Sequence, residues 1–368
     1  MHQLLCGGDQ SLAQRAQYST QGFRDYTLAS AESAHLILAA GGGAPRRDAA
    51  VRPWLLVNPR SFRASRGGLA QRIATKARNH GLQVIEASSA VEFQTALDRL
   101  RDLQAAEIWM LAGDGTVHAM AQYLAQPACA GWSPALLLLG GGRANVVPRD
   151  CGGYPPWQRF SAALDALRDG RELAEERLLT LRVQQYGGES QYGFFLAGAV
   201  VYAGIRLCDE HRAQGSGWLH RSWFADPYCL LKVATQVWAG RSPLPPYRDV
   251  DVRTDSAAAL RAPMRILLAS SLQFREALYN PFAQRGEGVV RLTAVAATAR
   301  HFWRHLPAIF KGRFGDDMTL QQGYLSGRFA SAEVLGLDGY ALDGELFTTD
   351  PTRPVKLSSG IELRVLRP

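Results

Sequence analysis

Four short apolar runs punctuate the first half of the chain, at residues 54–57, 82–87, 108–111 and 135–139. Those at 54–57, 108–111 and 135–139 are too short for a buried helix and too uniformly apolar for a half-exposed strand, which predicts buried strands. The run 82–87, interrupted by Gln83 and Glu86, reads as a further short strand. Amphipathic stretches separate them: 69–79, ended by Gly81, then 90–103, introduced by Ser88-Ser89, and 117–124. A further helix is predicted over 157–169. Buried strands alternating with amphipathic helices imply an α/β fold with a parallel sheet and crossover helices.

The pattern changes near Glu176. Residues 178–183 alternate, 193–201 are small and apolar, and short strand-like runs follow at 250–253, 265–269 and 289–294. The tail adds 333–337, 340–342, 346–348 and 362–366. Many short strands with turns between them predict a β-rich, sandwich-like second domain. Helical insertions are expected at 218–238 and 296–310. The first 52 residues lack periodicity and end in a Gly-rich, Pro-containing stretch, Ala40–Asp48, which reads as a poorly ordered extension and linker with one short helix near 31–39. The expected organisation is 1–52 extension, 53–175 α/β domain, and 176–368 β-rich domain.

Length and charge agree with that division. A chain of 368 residues suggests two domains, and 47% hydrophobic with 20% charged residues suits a globular core. No apolar run reaches the roughly 20 residues that span a bilayer. The five cysteines are scattered, without a C-x-x-C pair, which argues against a disulfide frame or zinc site and for a cytoplasmic location. The start, Met1 to Cys6, lacks the basic and apolar stretches of a lipoprotein signal. A formal net charge of +8 favours anionic partners. No arginine-rich tract or nucleic-acid motif stands out, so a nucleic-acid partner is not expected.

The candidate chemistry lies where the predicted strands end. After the third comes Gly113-Asp114-Gly115-Thr116, a glycine turn running into a helix, with Thr116 as a candidate N-cap. Glycines there let phosphate approach the backbone, and Asp114 offers a hard carboxylate to magnesium. Asn58-Pro59-Arg60 ends the first strand, and Gly140-Gly141-Gly142-Arg143-Ala144-Asn145 follows the fourth. There Arg143 can clamp phosphate and Asn145 can orient the loop. Ligands on parallel sheets bind where such loops leave the strand ends. Far away, Asp343-Gly344 predicts a two-residue hairpin that starts Glu345 on the returning strand, where its carboxylate can accept a proton during phosphoryl transfer. Each motif alone also reads as an ordinary turn.

Taken in order, these motifs resemble the diacylglycerol kinase catalytic family of lipid kinases, which includes bacterial diacylglycerol kinases and sphingosine and ceramide kinases. Asn58-Pro59-Arg60-Ser61 resembles its Asn-Pro-x-Ser opening, Gly113-Asp114-Gly115-Thr116 its nucleotide motif, and Asp343-Gly344-Glu345 its late Asp-Gly-Glu. Gly142-Arg143-Ala144-Asn145 stands where the family has Gly-Thr-x-Asn. The resemblance covers about residues 53 to 366.

It implies an α/β nucleotide domain joined to a β-sandwich domain, and a reaction with ATP and Mg2+. It implies ATP contacts from Asn58, Ser88, Gly113, Gly115, Thr116, Gly142, Arg143 and Asn145, Asp114 in catalysis and metal binding, and Glu345 as general base. The sequence also departs from the family: Arg143 replaces threonine, Val146 replaces aspartate, Ala112 a glycine and Ala119 a glutamate. In 281–288 Glu287 replaces the aspartate of the family's Pro-x-Ala-x-x-Asp-Gly metal segment, with one residue inserted, leaving Glu287 a weaker metal candidate.

The expected substrate is a membrane lipid such as diacylglycerol, met peripherally at the inner face of the membrane. Two stretches mix aromatic and basic residues as an interfacial surface does, 218–238 and 299–314. His301 and His305, four apart, read as solvent-facing base rather than metal ligands. A homodimer is compatible with the chain. Two alternatives stay open: a kinase of a soluble acceptor such as NAD, and a lipid-binding relative whose nucleotide site has decayed.

Overall fold

The computed structural model describes residues 52–214, 247–275 and 279–368. The expected extension, the helix near 31–39 and the aromatic-basic stretch at 218–238 lie outside the described residues, as do Cys6 and Cys229.

The first half is the predicted α/β layer. Strands β1 (Trp54–Val57), β2 (Gln83–Glu86), β3 (Glu107–Ala112) and β4 (Ala135–Gly140) run parallel in the order β2-β1-β3-β4. In β1, β3 and β4 the side chains alternate between two cores, which is why those strands read as continuous apolar runs. The edge strand β2 instead carries exposed Gln83 and Glu86. Leu56, Met110 and Leu138 face helices α2 (Ala90–Asp102) and α3 (Asp114–Leu124). Leu55, Trp109 and Leu137 face α1 (Leu69–Asn79) across the sheet. A short α4 (Val146–Asp150) and a longer α5 (Pro156–Arg168) complete this half, with Phe160 of α5 edge-on to Trp109.

The second half is a two-sheet sandwich. One sheet runs β6 (Ser190–Gly193), β5 (Ala174–Gln185), β15 (Val355–Arg367), β12 (Ser331–Leu335), β8 (Asp249–Thr254). The other runs β14 (Glu345–Thr348), β13 (Gly339–Leu342), β7 (Phe195–Gly198), β9 (Ala259–Ser270), β10 (Val290–Ala296), β11 (Tyr324–Phe329). Val183, Val252 and Leu357 of the first meet Leu196, Leu267 and Leu292 of the second in one core. Strand β9 serves both sheets, pairing β8 with its first residues and β7 and β10 with its last.

Several expectations shift. The run 193–201 is not one strand. It closes β6, forms β7, and turns at Ala199, with φ 55°, into α6 (Ala199–Gln214). The helix expected over 296–310 is shorter, α7 (Phe302–Phe310), because 297–301 form a turn ending at His301 with φ 54°. Strands β6 and β11 escape the pattern because Ser190–Gly193 and Tyr324–Phe329 carry polar residues and glycine. The C-terminal strand does more than close the sandwich. Its end lies parallel to β4, Arg364 opposite Ala135 and Val365 opposite Leu136, so the tail also completes the first sheet.

Candidate active site

The site is built from three loops at the carboxyl ends of β1, β3 and β4, with a hairpin from the sandwich laid over them. The first loop is anchored by backbone and side chain. Asn58 donates its amide N–H to the Leu111 carbonyl at 3.0 Å. Its Nδ2 donates to Thr116 Oγ1 at 3.1 Å, and its Oδ1 accepts the Arg60 N–H. Ser61 Oγ closes the turn on the Asn58 carbonyl.

The other two loops touch backbone to backbone. A side chain on Gly142 would sit 2.5 Å from the Gly113 Cα, so only glycine permits this approach. Gly141 donates to the Ala112 carbonyl, and its own carbonyl accepts the N–H groups of Arg63 and Ala64. Asn145 organises the turn. It is wholly buried in the left-handed region, φ 53°, with Oδ1 accepting the Gly142 N–H at 2.7 Å and Nδ2 donating to the Gly142 carbonyl at 2.9 Å.

Helix α3 begins one turn earlier than the sequence suggests. Its N-cap is Gly113, extended at φ −90° and ψ 175°, with no side chain capping it. Thr116 is therefore not the cap; its hydroxyl is engaged by Asn58 instead. Thr116 and Val117 donate to the Gly113 carbonyl, leaving the amides of Asp114 and Gly115 without a partner inside the helix. Those amides and the positive end of the helix dipole suit an anion.

Asp114 lies in this first turn. One carboxylate oxygen accepts the Val147 N–H at 3.0 Å, tying α3 to α4. Burial pushes its pKa up, the amides of Val147, Asn145 and Val146 pull it down, and the nearby Asp343 carboxylate adds to the rise.

The hairpin arrives from β13 and β14. Asp343 and Gly344 both have positive φ, 52° and 95°, the two-residue turn expected from Asp-Gly. Leu342 pairs with Glu345 across it. The Glu345 carboxylate reaches the Gly113–Thr116 turn: its Oε1 is 3.9 Å from where a Cβ on Gly115 would stand. Asp343 does not point into the cleft. Its side chain is 2% exposed, accepts the N–H groups of Phe194 and Phe195, and lies 3.0 Å from His118 Nδ1 on α3.

Sequence reasoning missed several participants. His118 and Gln122, one turn apart on α3, bind the sandwich: Gln122 Nε2 donates to Gln191 Oε1 at 2.6 Å, and its Oε1 accepts the Tyr192 N–H. Asp150 accepts the amides of Gln273 and Arg275, holding a second strap across the halves. Tyr279 stands close enough to Asp114 for that carboxylate to raise its phenol pKa, which burial already elevates. Phe195, Phe274 and Phe282 stack edge-on or tilted beside it. The period-four spacing of His118 and Gln122 was the one available signal.

Other expected residues are engaged as follows. Arg143 stacks on Phe62 of the first loop, with its Cζ 4.7 Å from the ring centre. The Ser88 N–H is taken by Glu92 Oε2 at the start of α2, whose N-cap is Ser89. Glu287 lines a cavity of about 550 Å³ with Asp255 and Arg328, and none of the motif residues borders it. Among the described residues no cluster of three His, Cys, Asp or Glu side chains is placed to hold a metal ion.

Comparison with known proteins agrees with the motifs. Residues 52–175 match the diacylglycerol kinase catalytic domain. A crystal structure of a diacylglycerol kinase from Bacillus anthracis str. Sterne shares the fold, with TM-score 0.53 and 12% identity over 86% of this chain and 97% of that one. A second protein of that organism, provisionally named a diacylglycerol kinase, gives TM-score 0.58 and 14% identity over the same shares. No curated protein matches. The three glycine- and asparagine-bearing loops fall within residues 52–175, the stretch that matches the diacylglycerol kinase catalytic domain, and the hairpin that carries Glu345 is laid over them from outside it.

Proposed function

We propose that the protein is an ATP-dependent lipid kinase that phosphorylates a hydroxyl of a membrane lipid such as diacylglycerol or a related long-chain lipid. The observation that carries this reading is the Glu345 carboxylate standing over Gly115, which brings a proton acceptor to the phosphate-binding turn. In the proposed reaction the Asp114 and Gly115 amides and the dipole of α3 hold phosphate oxygens. Glu345 accepts the proton of the lipid hydroxyl, whose oxygen forms a bond to the γ-phosphorus as the bond to the β-phosphate oxygen breaks, releasing ADP.

The donor set fits a magnesium ion that arrives with ATP rather than one resident in the protein. Asp114 is a single carboxylate beside a phosphate site, and magnesium binds through one or two carboxylates, substrate phosphates and waters. When bound, that ion would neutralise phosphate charge.

A lipid acceptor is favoured by the wall beside Glu345. Leu346, the next residue, is only partly buried and packs on the core that holds Phe274 and Phe282, and the partly buried Phe195 packs on it as well. Partly buried apolar side chains at the base of the hairpin suit a long-chain acceptor.

The test is transfer of labelled phosphate from ATP to extracted lipids by native and Glu345→Gln protein. Native protein is expected to label a lipid. The variant should lose about 10²- to 10⁴-fold in rate, the range for a positioned acid or base, while ATP still raises its melting temperature. Equal rates would remove Glu345 from the role, and no labelling across a broad lipid panel would overturn the kinase reading.

A further inference from the structure

We propose that the outer face of α7 docks the protein on an anionic phospholipid bilayer, at the mouth of the proposed cleft. The proposal deepens the lipid-kinase reading, but its evidence and its test do not depend on activity.

Helix α7 is amphipathic in an unusual sense. Its inner face is an ordinary core face: Phe302, His305 and Ile309 are buried against Val295 and Tyr324. Its outer face is not polar. Trp303, Pro307 and Phe310 follow one another at intervals of four and three, which sets them in one ridge. Trp303 is 70% exposed and Phe310 52%. A free helix normally turns charge, not tryptophan and phenylalanine, to water.

The ridge continues beyond the helix at both ends. Near its start the Arg265 guanidinium packs on the rings of Phe302, Trp303 and Tyr247, and Tyr247 is 45% exposed. At its end the Phe310 carbonyl accepts the Asn280 N–H, next to the 40%-exposed Tyr279. Four of the nine large apolar side chains exposed among the described residues therefore gather along one edge. Scattered exposed apolar residues need no explanation, but a contiguous patch does.

Charge identifies the partner. Arg304 and Lys311 flank the ridge, one position past Trp303 and Phe310, and Arg300 and Arg313 lie just outside the helix. Asp316 and Asp317 are the acidic residues nearby in sequence, and Asp317 is engaged by His305. Exposed aromatic rings among arginines and lysine match the headgroup region of an anionic bilayer, where rings sit at the interface and cations meet phosphates. A protein partner would be met by a drier, less charged face.

Position links the surface to the site. Tyr279, beside the end of the ridge, tilts against Phe274, whose ring meets Phe195, and Phe195 donates its N–H to Asp343 of the hairpin that carries Glu345. A bilayer under α7 would present its lipids next to those rings.

The experiment is cosedimentation of the full chain with vesicles of phosphatidylcholine, with and without phosphatidylglycerol, at low and high salt. Native protein is expected to pellet with the anionic vesicles at low salt and to be released by high salt. Trp303→Ser with Phe310→Ser should weaken binding at least about tenfold, since each buried ring contributes on that scale. Arg304→Gln and Lys311→Gln should each weaken it about fivefold and only on anionic vesicles. Melting curves check that these exposed substitutions leave the fold intact. Vesicle binding by the double aromatic variant at native strength would overturn the proposal. So would failure of native protein to bind, including the case in which it is a dimer split by the same variant. Activity on detergent-dispersed lipid separates the two readings: protein that binds vesicles but transfers no phosphate keeps the docking face and loses the kinase.

Discussion

Asp114 meets opposing demands within one carboxylate. In the proposed reaction it meets a magnesium-nucleotide as a charged group, yet burial and the Asp343 carboxylate both favour its protonated form. For an acid whose native pKa lies above its unfolded value, the native state binds the proton more tightly. Stability is therefore greatest at low pH and is lost as pH rises through the interval between the unfolded and the native pKa. Asp114→Asn keeps an oxygen for the Val147 N–H and removes the buried charge. The variant should melt above native protein at neutral pH, with the gap closing as pH falls toward the ordinary aspartate range, and ATP with magnesium should no longer stabilise it. Thermal melts across that pH range, with and without ATP, check both; equal melting at neutral pH would show that Asp114 carries no such cost. Gly142 gives a second residue-scale prediction. A methyl at 2.5 Å from the Gly113 Cα must push two backbones apart. Gly142→Ala should therefore lose ATP stabilisation, while Gly344→Ala, with open space around it but φ 95°, should lose about 1–2 kcal/mol of turn stability and keep the ATP response.

At the scale of elements, α3 is the hinge-pin of the site. Its first turn carries the nucleotide motif, and its second holds the hairpin that carries Glu345, through His118 and Asp343. Removing His118 leaves a buried carboxylate short of one partner, a loss of about 1–3 kcal/mol. His118→Leu is expected to lower kcat with little change in the KM for ATP, because it loosens Glu345 and not the phosphate turn. His118→Asn, whose amide can donate to Asp343, should restore most of the rate. An equal rise in ATP KM for the leucine variant would assign His118 to the nucleotide site instead. The strands β1, β3 and β4 were legible in the sequence because burial on both faces writes short, continuous apolar runs. The three loops were legible because glycine and asparagine mark backbone positions few other residues can take. The strap was not. His118 and Asp343 stand 225 residues apart, and nothing local distinguishes a buried pair from two surface residues. The length of β9 was hidden for a related reason: its first half, Ala259–Pro263, pairs with β8 at a partly exposed margin, where alternation is blurred.

For the whole molecule, the decisive feature is where the chain ends. The domain match stops at residue 175, which invites the view that residues 52–175 form a self-sufficient nucleotide module. The sheet argues otherwise. One edge of β4 is covered by β3 and the other by the last residues of β15. Leu363 and Val365 enter the core shared with α2 and α3, and Leu366 enters the core on the opposite face with α1 and α5. Each fully buried aliphatic side chain contributes about 1.5–3 kcal/mol, so these three are worth on the order of 5 kcal/mol, close to the whole stability of many domains. An uncovered β4 would also present an apolar edge for aggregation. A chain truncated after Ile361 should therefore lose its cooperative melt and its stabilisation by ATP, although no residue of the candidate site has been removed. Limited proteolysis should cut it within the first half at protease levels that leave the full chain intact. Residues 52–175 expressed alone should behave the same way. If either protein melted cooperatively near the full chain's temperature and still responded to ATP, the nucleotide half would be independent. The sandwich would then serve only to deliver Glu345 and the lipid. If both fail, substrate half and nucleotide half form one folding unit. The sheet that β15 completes and the hairpin that carries Glu345 then fold together or not at all.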